Sequence, residues 1–305
     1  MRLKLAVHGT LLCRKTNIPL YNGTFALRKM SSLPQGSYKN LVVDKVKNIT
    51  TIGINRPEKR NCVNLQTAKE LQEAFKEFEN DSSTTAAVLY GKGGHFSAGL
   101  DLKEISEFPN DFNFLETGNY CPKSSEGVGP MGPSRRIFAK PVIAAVSGYA
   151  VAGGMEIALM CDLRVVEETA TFGIFCRRFG VPLIDGGTIR LPHLIGLSRA
   201  MDLIVTGRPV KGKEALHIGL ANRLVPTGSS LNEAVKLAEE ISNFPQECMN
   251  TDRKSAYAAM FSSQSFEESI QREMAEGLKV LHKESIQGAG KFASGIGRHG
   301  KFESQ

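Results

Sequence analysis

Two short stretches of the chain hold the residue types that acid–base chemistry at a carbonyl group requires. In Ser147-Gly148-Tyr149-Ala150-Val151-Ala152-Gly153-Gly154-Met155-Glu156 a glycine pair opens an apolar helix. Its first N–H groups and the positive end of its dipole are then free to meet an oxyanion. Glu156 follows among almost wholly apolar neighbours. A carboxyl in such surroundings is costly to ionise, so its pKa is expected to rise toward the range useful for proton transfer. A helix-terminal acid held by the dipole, or one half of an internal salt bridge, fits the same letters equally well. The second stretch is His95-Phe96-Ser97-Ala98-Gly99-Leu100-Asp101-Leu102-Lys103-Glu104. Small residues and a glycine after a strand let the backbone approach a ligand closely and leave amides free to donate. Taken alone, it also reads as a plain strand-to-helix turn.

Other chemistries find little support. There is no G-x-x-x-x-G-K-[ST] phosphate loop and no G-x-S-x-G nucleophile elbow. His95, His193 and His217 lack metal-ligand spacing, and the six cysteines contain no C-x-x-C pair, so no metal site is expected. No run approaches the roughly 18 apolar residues of a membrane span. With 41% hydrophobic and 23% charged residues, the 305-residue chain has the composition of a folded globular protein.

The elements that must position these stretches follow from hydrophobic periodicity. Leu41 to Ile54 alternates like a hairpin. A polar loop, Arg56 to Asn61, follows it. Thr67-x-x-Glu70 resembles a capping box ahead of a helical stripe of Ala68, Leu71, Phe75 and Phe78. Ala86 to Tyr90, Pro141 to Val146, Leu163 to Val166 and Thr171 to Gly173 read as buried strands, and Met155 to Met160 as a buried helix. Residues 106–134, rich in glycine and proline, read as a mobile loop over a site or as an ordinary surface insertion. Beyond them, Leu231, Ala234, Val235, Ala238 and Ile241 form one helical stripe. Phe266, Ile270, Met274, Leu278 and Leu281 form another. The pattern is an α/β core followed by an all-α region.

The formal charge of +7 is unevenly spread. Seven bases and no acid precede Asp44, and the remaining 31 bases equal the 31 acids. A basic, acid-free tail with scattered Leu3, Leu5, Val7, Leu11 and Leu12 suits an amphipathic mitochondrial presequence over about residues 1–30. The neutral remainder argues against nucleic acid as a partner.

Taken together, the motifs resemble the enoyl-CoA hydratase/isomerase (crotonase) superfamily. The likeness rests on Asn55-Arg56-Pro57, His95 to Glu104, Lys140 to Gly148, Cys161-Asp162, Gly186 to Pro192 and Thr206-Gly207-Arg208, and runs from about residue 40 to 285. It implies a spiral of ββα turns over residues 38–225. A helical trimerisation region over 226–305 would follow, with the trimers often paired into hexamers. It also implies an acyl-CoA thioester substrate and no resident cofactor, coenzyme A arriving as part of the substrate. By motif, the N–H groups of Leu100 and Gly153 would hold the thioester oxygen. Ala98, Leu100, Asp101 and Lys103 would contact the substrate, with Asp101 and Lys103 toward its adenine end, and Glu156 would transfer the proton. Fixed donors at an oxyanion contribute about 3–4 kcal/mol each by analogy with known oxyanion holes.

The chain departs from the hydratase pattern at the second glutamate, where it carries Cys176. A neutral thiol is a poor substitute for a carboxyl that must activate water. Asp185, in a region resembling an acidic segment of dienoyl-CoA isomerases, is a candidate replacement; capping the helix after Gly187 is its alternative task. Hydration, double-bond isomerisation, decarboxylation and thioester hydrolysis all use such an oxyanion hole. A non-catalytic acyl-CoA- or RNA-binding protein is the rival of a different class.

Overall fold

The computed structural model describes residues 38–109 and 128–297. The presequence reading and most of the 106–134 loop reading fall outside these residues. Strands β1 (Leu41–Val46) and β2 (Ile49–Ile54) form an antiparallel hairpin, in which Val46 pairs with Ile49. Its turn carries Lys47 at a φ of 55°. Helix α1 (Leu65–Asn80) crosses to β3 (Ala86–Gly91), which lies parallel to β2. A short α2 (Leu102–Ser106) follows the donor-rich loop.

The chain then runs through β4 (Val142–Val146), β5 (Tyr149–Val151), α3 (Gly153–Met160), β6 (Leu163–Glu167) and β7 (Thr171–Gly173). After a 3₁₀ turn, Phe175–Phe179, come α4 (Gly187–Ile195), α5 (Leu197–Thr206), β8 (Val210–Lys211), α6 (Gly212–His217) and β9 (Arg223–Val225). One sheet has the order β1-β2-β3-β4-β6-β9 and the other β5-β7-β8. From β4 onward the chain passes back and forth between the two sheets, as in the spiral expected from the sequence.

Strand β4 shows why its letters are apolar without interruption. Val142, Ala144 and Val146 pack into the cluster containing Leu71, Phe75 and Phe78 of α1. Ile143 and Ala145 point the other way, into a second cluster with Ala234 and Ala238. Period-two alternation is present in the contacts, but both faces are covered, so both must be apolar. The second cover is α7 (Ser230–Ser242). The first helix beyond residue 226 thus belongs to the same core as the strands.

One local expectation is corrected. Asn64, in an extended conformation, caps α1 by accepting the Thr67 N–H, so the helix begins ahead of the Thr67–Glu70 pair. Glu70 instead accepts from the N–H groups of Lys39 and Asn40 and tethers the chain entering β1.

Helices α8 (Gln246–Phe261) and α9 (Phe266–Val280), a π-helical turn at Leu281–Ser285 and α10 (Ile286–Ala293) complete the described chain. The expected stripe of Phe266, Ile270, Met274, Leu278 and Leu281 is helical but uncovered, with Phe266 81% exposed. Leu197, Met201 and Val205 of α5 are exposed as well. Among the described residues no helix is long and apolar enough to cross a membrane.

Candidate active site

The two stretches singled out in the sequence meet at their glycines. Leu100 forms an isolated bridge with Val63, in which Val63 N–H donates to the Gly99 carbonyl at 2.7 Å and Asp101 N–H to the Val63 carbonyl at 2.9 Å. Extended backbone turns alternate amides to opposite sides, so the Leu100 N–H faces away from this bridge. Gly153 is the first residue of α3, where an N–H has no partner within its own helix. Among the described residues neither N–H has an acceptor. Ala152, just before it, holds φ at 54° and ψ at −128°. Such a conformation costs on the order of 1–3 kcal/mol in a residue with a side chain. It persists here beside a hydrogen bond from the Ala152 N–H to the Gly173 carbonyl at 2.8 Å.

Gly99 has a φ of +92°, and a Cβ added to it would stand 2.9 Å from the Gly153 nitrogen. With ordinary bond lengths, the Leu100 and Gly153 nitrogens then lie no more than roughly 7 Å apart, and both residues line the same cavity.

Glu156 is buried in the first turn of α3. Its Oε1 accepts from the N–H groups of Asp185, at 2.9 Å, and Gly187, at 2.8 Å. It lies in the first turn, where the dipole acts, and among the described residues it forms no salt bridge. Burial, reinforced by the nearby Asp185 carboxyl, pushes Glu156 up to about 8, toward the range useful for proton exchange. A Cβ on Gly187 would come within 2.9 Å of this side chain, so glycine at this position lets the loop close over it.

Asp185 does not cap α4; its N-cap, Gly186, receives no side-chain bond. Its Oδ1 accepts from Met131 N–H at 2.9 Å and from the Ser134 hydroxyl. Its Oδ2 is buried without a partner among the described residues. Burial raises the Asp185 pKa as well, against the opposing hydrogen bonds.

Glu156, Asp185 and Cys176 line one small cavity of about 80 Å³ together with Ala98, Leu100 and Gly153. Burial and the neighbouring Glu156 push the Cys176 thiol up, which leaves it neutral and unable to serve as a base near neutral pH. Larger clefts exist, among them one of about 620 Å³ bordered by α8 and α9, but the free amides and the buried acid pair lie in the smaller one.

The loop carrying Leu100 is anchored from behind. The Arg56 guanidinium donates to Asp101 Oδ2 at 2.8 Å, and both groups are buried. Burial opposes ionisation of Asp101, but the Arg56 bond and charge outweigh it and hold the carboxyl below its ordinary value. Asn61, fully buried, donates to the carbonyls of Lys92, at 2.8 Å, and His95, at 2.6 Å. The Asp101 carboxylate, expected at the adenine end of the substrate, is thus bound within the fold, whereas Lys103 is exposed on α2.

Residues 44–296 match the family model described as enoyl-CoA hydratase/isomerase. The chain belongs to this family. It is 36% identical over 243 residues to a "probable enoyl-CoA hydratase" of Rhizobium meliloti, covering 80% of this chain and 87% of that one. It is 38% identical over 210 residues to the short-chain-enoyl-CoA hydratase of Clostridium acetobutylicum, covering 68% and 77%. Among solved structures, the enoyl-CoA hydratase of Mycobacterium tuberculosis H37Rv superposes with a TM-score of 0.74 at 31% identity, covering 84% of this chain and 96% of that one. The protein is accordingly an acyl-CoA enzyme with the crotonase fold.

Several residues of this family member's site were missed from sequence. Arg56 and Asn61 lie in what reads as a solvated polar loop, and only their quoted motif sets Arg56 apart. Ser134 carries no local signal, and Arg190 is set apart only by lying in the quoted Gly186 to Pro192 motif. The Arg190 guanidinium donates to the carbonyls of Ser134, at 2.6 Å, and Arg136, at 3.1 Å, tying the 128–136 segment to α4.

Proposed function

We propose that this enzyme adds water across the α,β double bond of a short enoyl-CoA thioester, or in reverse eliminates it from the 3-hydroxyacyl thioester, through an oxyanion-stabilised enolate. The observation carrying this reading is the convergence of two unpaired amides, Leu100 and Gly153, with two buried carboxyls, Glu156 and Asp185, on one cavity. The thioester oxygen binds between the amides, which stabilise the charge developing on it. Glu156, poised near 8, transfers the proton at the carbon next to the carbonyl. Asp185 supplies the second carboxyl that the Cys176 position lacks. Ala98 and Leu100 border the reacting end, and the exposed Lys103 suits the phosphate-bearing end of coenzyme A. The relatives' names support hydration.

Cys176 favours a second reading, double-bond migration, because moving a proton between two carbons needs no activated water. Products separate the two. Purified protein given crotonyl-CoA should form the 3-hydroxyacyl thioester. Turnover of a 3-enoyl-CoA alone would replace hydration with isomerisation. Glu156→Gln should abolish either reaction while thioester binding persists, and full activity in that variant would remove Glu156 from the mechanism.

Assembly into trimers or hexamers is part of the same proposal. The uncovered stripes on α5 and α9 supply two different apolar faces, as a closed ring of copies needs. Sedimentation of the purified chain as a monomer would oppose it. Delivery to the mitochondrial matrix by residues 1–30 is tested by fusing them to a fluorescent protein; diffuse fluorescence would count against it.

A further inference from the structure

The two oxygens of Asp185 are treated differently by the fold. Oδ1 receives the Met131 N–H and the Ser134 hydroxyl, whereas Oδ2 receives nothing among the described residues. An oxygen already accepting two donors has no comfortable site for a hydrogen of its own, so the proton of a neutral carboxyl belongs on the other oxygen. A buried polar atom left without a partner costs about 1–3 kcal/mol. That cost is removed when a ligand in the cavity hydrogen-bonds to it.

The Ser134 side of this arrangement is built, not incidental. Gly129 and Gly132 exchange backbone hydrogen bonds at 2.7 and 2.9 Å and bend the segment over Asp185. A Cβ on Gly129 would stand 2.5 Å from Asp185 Oδ1, so the approach requires glycine there. Arg190 fixes the Ser134 carbonyl from α4. Ser134 itself is fully buried.

We infer that Ser134 is a positioning residue that, with the Met131 amide, saturates Oδ1 of Asp185 and so leaves Oδ2 as the one atom through which this carboxyl exchanges a proton with the water added to the acyl group. The inference rests on reading Asp185 as the second acid. In hydration Asp185 acts in its ionised form: Oδ2 takes a proton from the attacking water, the water O–H bond breaks as its oxygen bonds to the third acyl carbon, and the electron pair of the double bond takes the proton given by Glu156. Ser134 and Met131 hold the Asp185 charge through Oδ1 until that proton arrives. Dehydration runs the same transfers in reverse. The charged or titratable groups around Asp185 are Glu156 from α3, Arg190 from α4, Arg135 from the 128–136 segment and, across the same cavity, the Cys176 thiol from the Phe175–Phe179 turn.

The test is made on the full chain, labelled with ¹³C at the aspartate carboxyls, with the Asp185 signal assigned by its loss in Asp185→Asn. In Ser134→Ala the Asp185 titration should move to higher pH, because a donor to the charged form is gone. With crotonyl-CoA as probe, kcat should fall about tenfold, the rate equivalent of one hydrogen bond, with KM little changed and the pH profile displaced in the same direction. Ser134→Thr, which keeps the hydroxyl, should restore both. Ser134→Cys keeps the volume and should behave like alanine, which guards against a folding defect in one variant. An unmoved Asp185 titration in the alanine and cysteine variants, or equal loss in the threonine variant, overturns the assignment to Ser134. Full turnover by Asp185→Asn instead overturns the second-acid reading beneath it.

Discussion

Asp101 and Glu156 are acids buried within the same pair of converging loops, yet the fold treats them in opposite ways. Asp101 faces the Arg56 guanidinium at 2.8 Å and stays ionised. Glu156 receives only neutral backbone donors and is pushed up to about 8. Burial is common to both, so burial alone does not mark an acid for chemistry. The presence or absence of a countercharge hydrogen-bonded to the carboxyl does: Arg56 meets Asp101 directly, whereas Arg190, near Glu156, donates to main-chain carbonyls instead. One carboxylate holds the loop that presents the Leu100 amide, and the other remains free to exchange a proton.

The largest effect that sharpens this contrast is on turnover. Glu156→Gln preserves an acceptor for both backbone donors but cannot exchange a proton, and kcat should fall by about 10²–10⁴-fold. Asp101→Asn, assayed by the same product formation, should cost far less in rate than Glu156→Gln does. Comparable losses in kcat would erase the distinction. Next comes stability. Arg56→Met leaves the Asp101 charge buried without its main partner and should cost about 3–5 kcal/mol in denaturant unfolding. A cost below about 1 kcal/mol would reduce this ion pair to the rank of a surface contact.

A third, smaller effect depends on pH. Glu156 binds its proton more tightly folded than unfolded, so its contribution to stability is full below the ordinary value of 4.5 and is lost as pH rises toward about 8. Glu156→Gln lacks this loss, and its melting temperature should gain on the native protein between pH 5 and pH 8.5. A difference that does not change across that interval would mean that Glu156 ionises normally. Smallest of all is Cys176→Ala, which removes a neutral thiol and should change kcat by less than about threefold. A large loss there would give the thiol a role that its raised pKa argues against.

Much of this was legible in the letters. The continuous apolar run of β4 announced a strand covered twice, and the glycine pair before Glu156 announced a helix opening toward a site. Partners separated by long stretches of chain were not legible. Ser134 meets Asp185, and Arg56 meets Asp101, through tertiary packing that leaves no trace in periodicity or spacing. Helix capping failed for a local reason. Thr67 and Glu70 satisfy the letters of a capping box, but Asn64 lies three residues earlier and captures the same amide. The uncovered stripe on α9 was readable as a helix, while what lies against it belongs to no single chain's sequence pattern.

The bond from the Asp185 amide to Glu156 Oε1 couples the two acids through the main chain as well as through space. When Glu156 sheds its proton, the added charge draws the Asp185-Gly186-Gly187 turn more firmly onto its oxygen. The seat of one acid is thereby set by the protonation of the other, and the pair should respond to a change at either member as one mechanical unit.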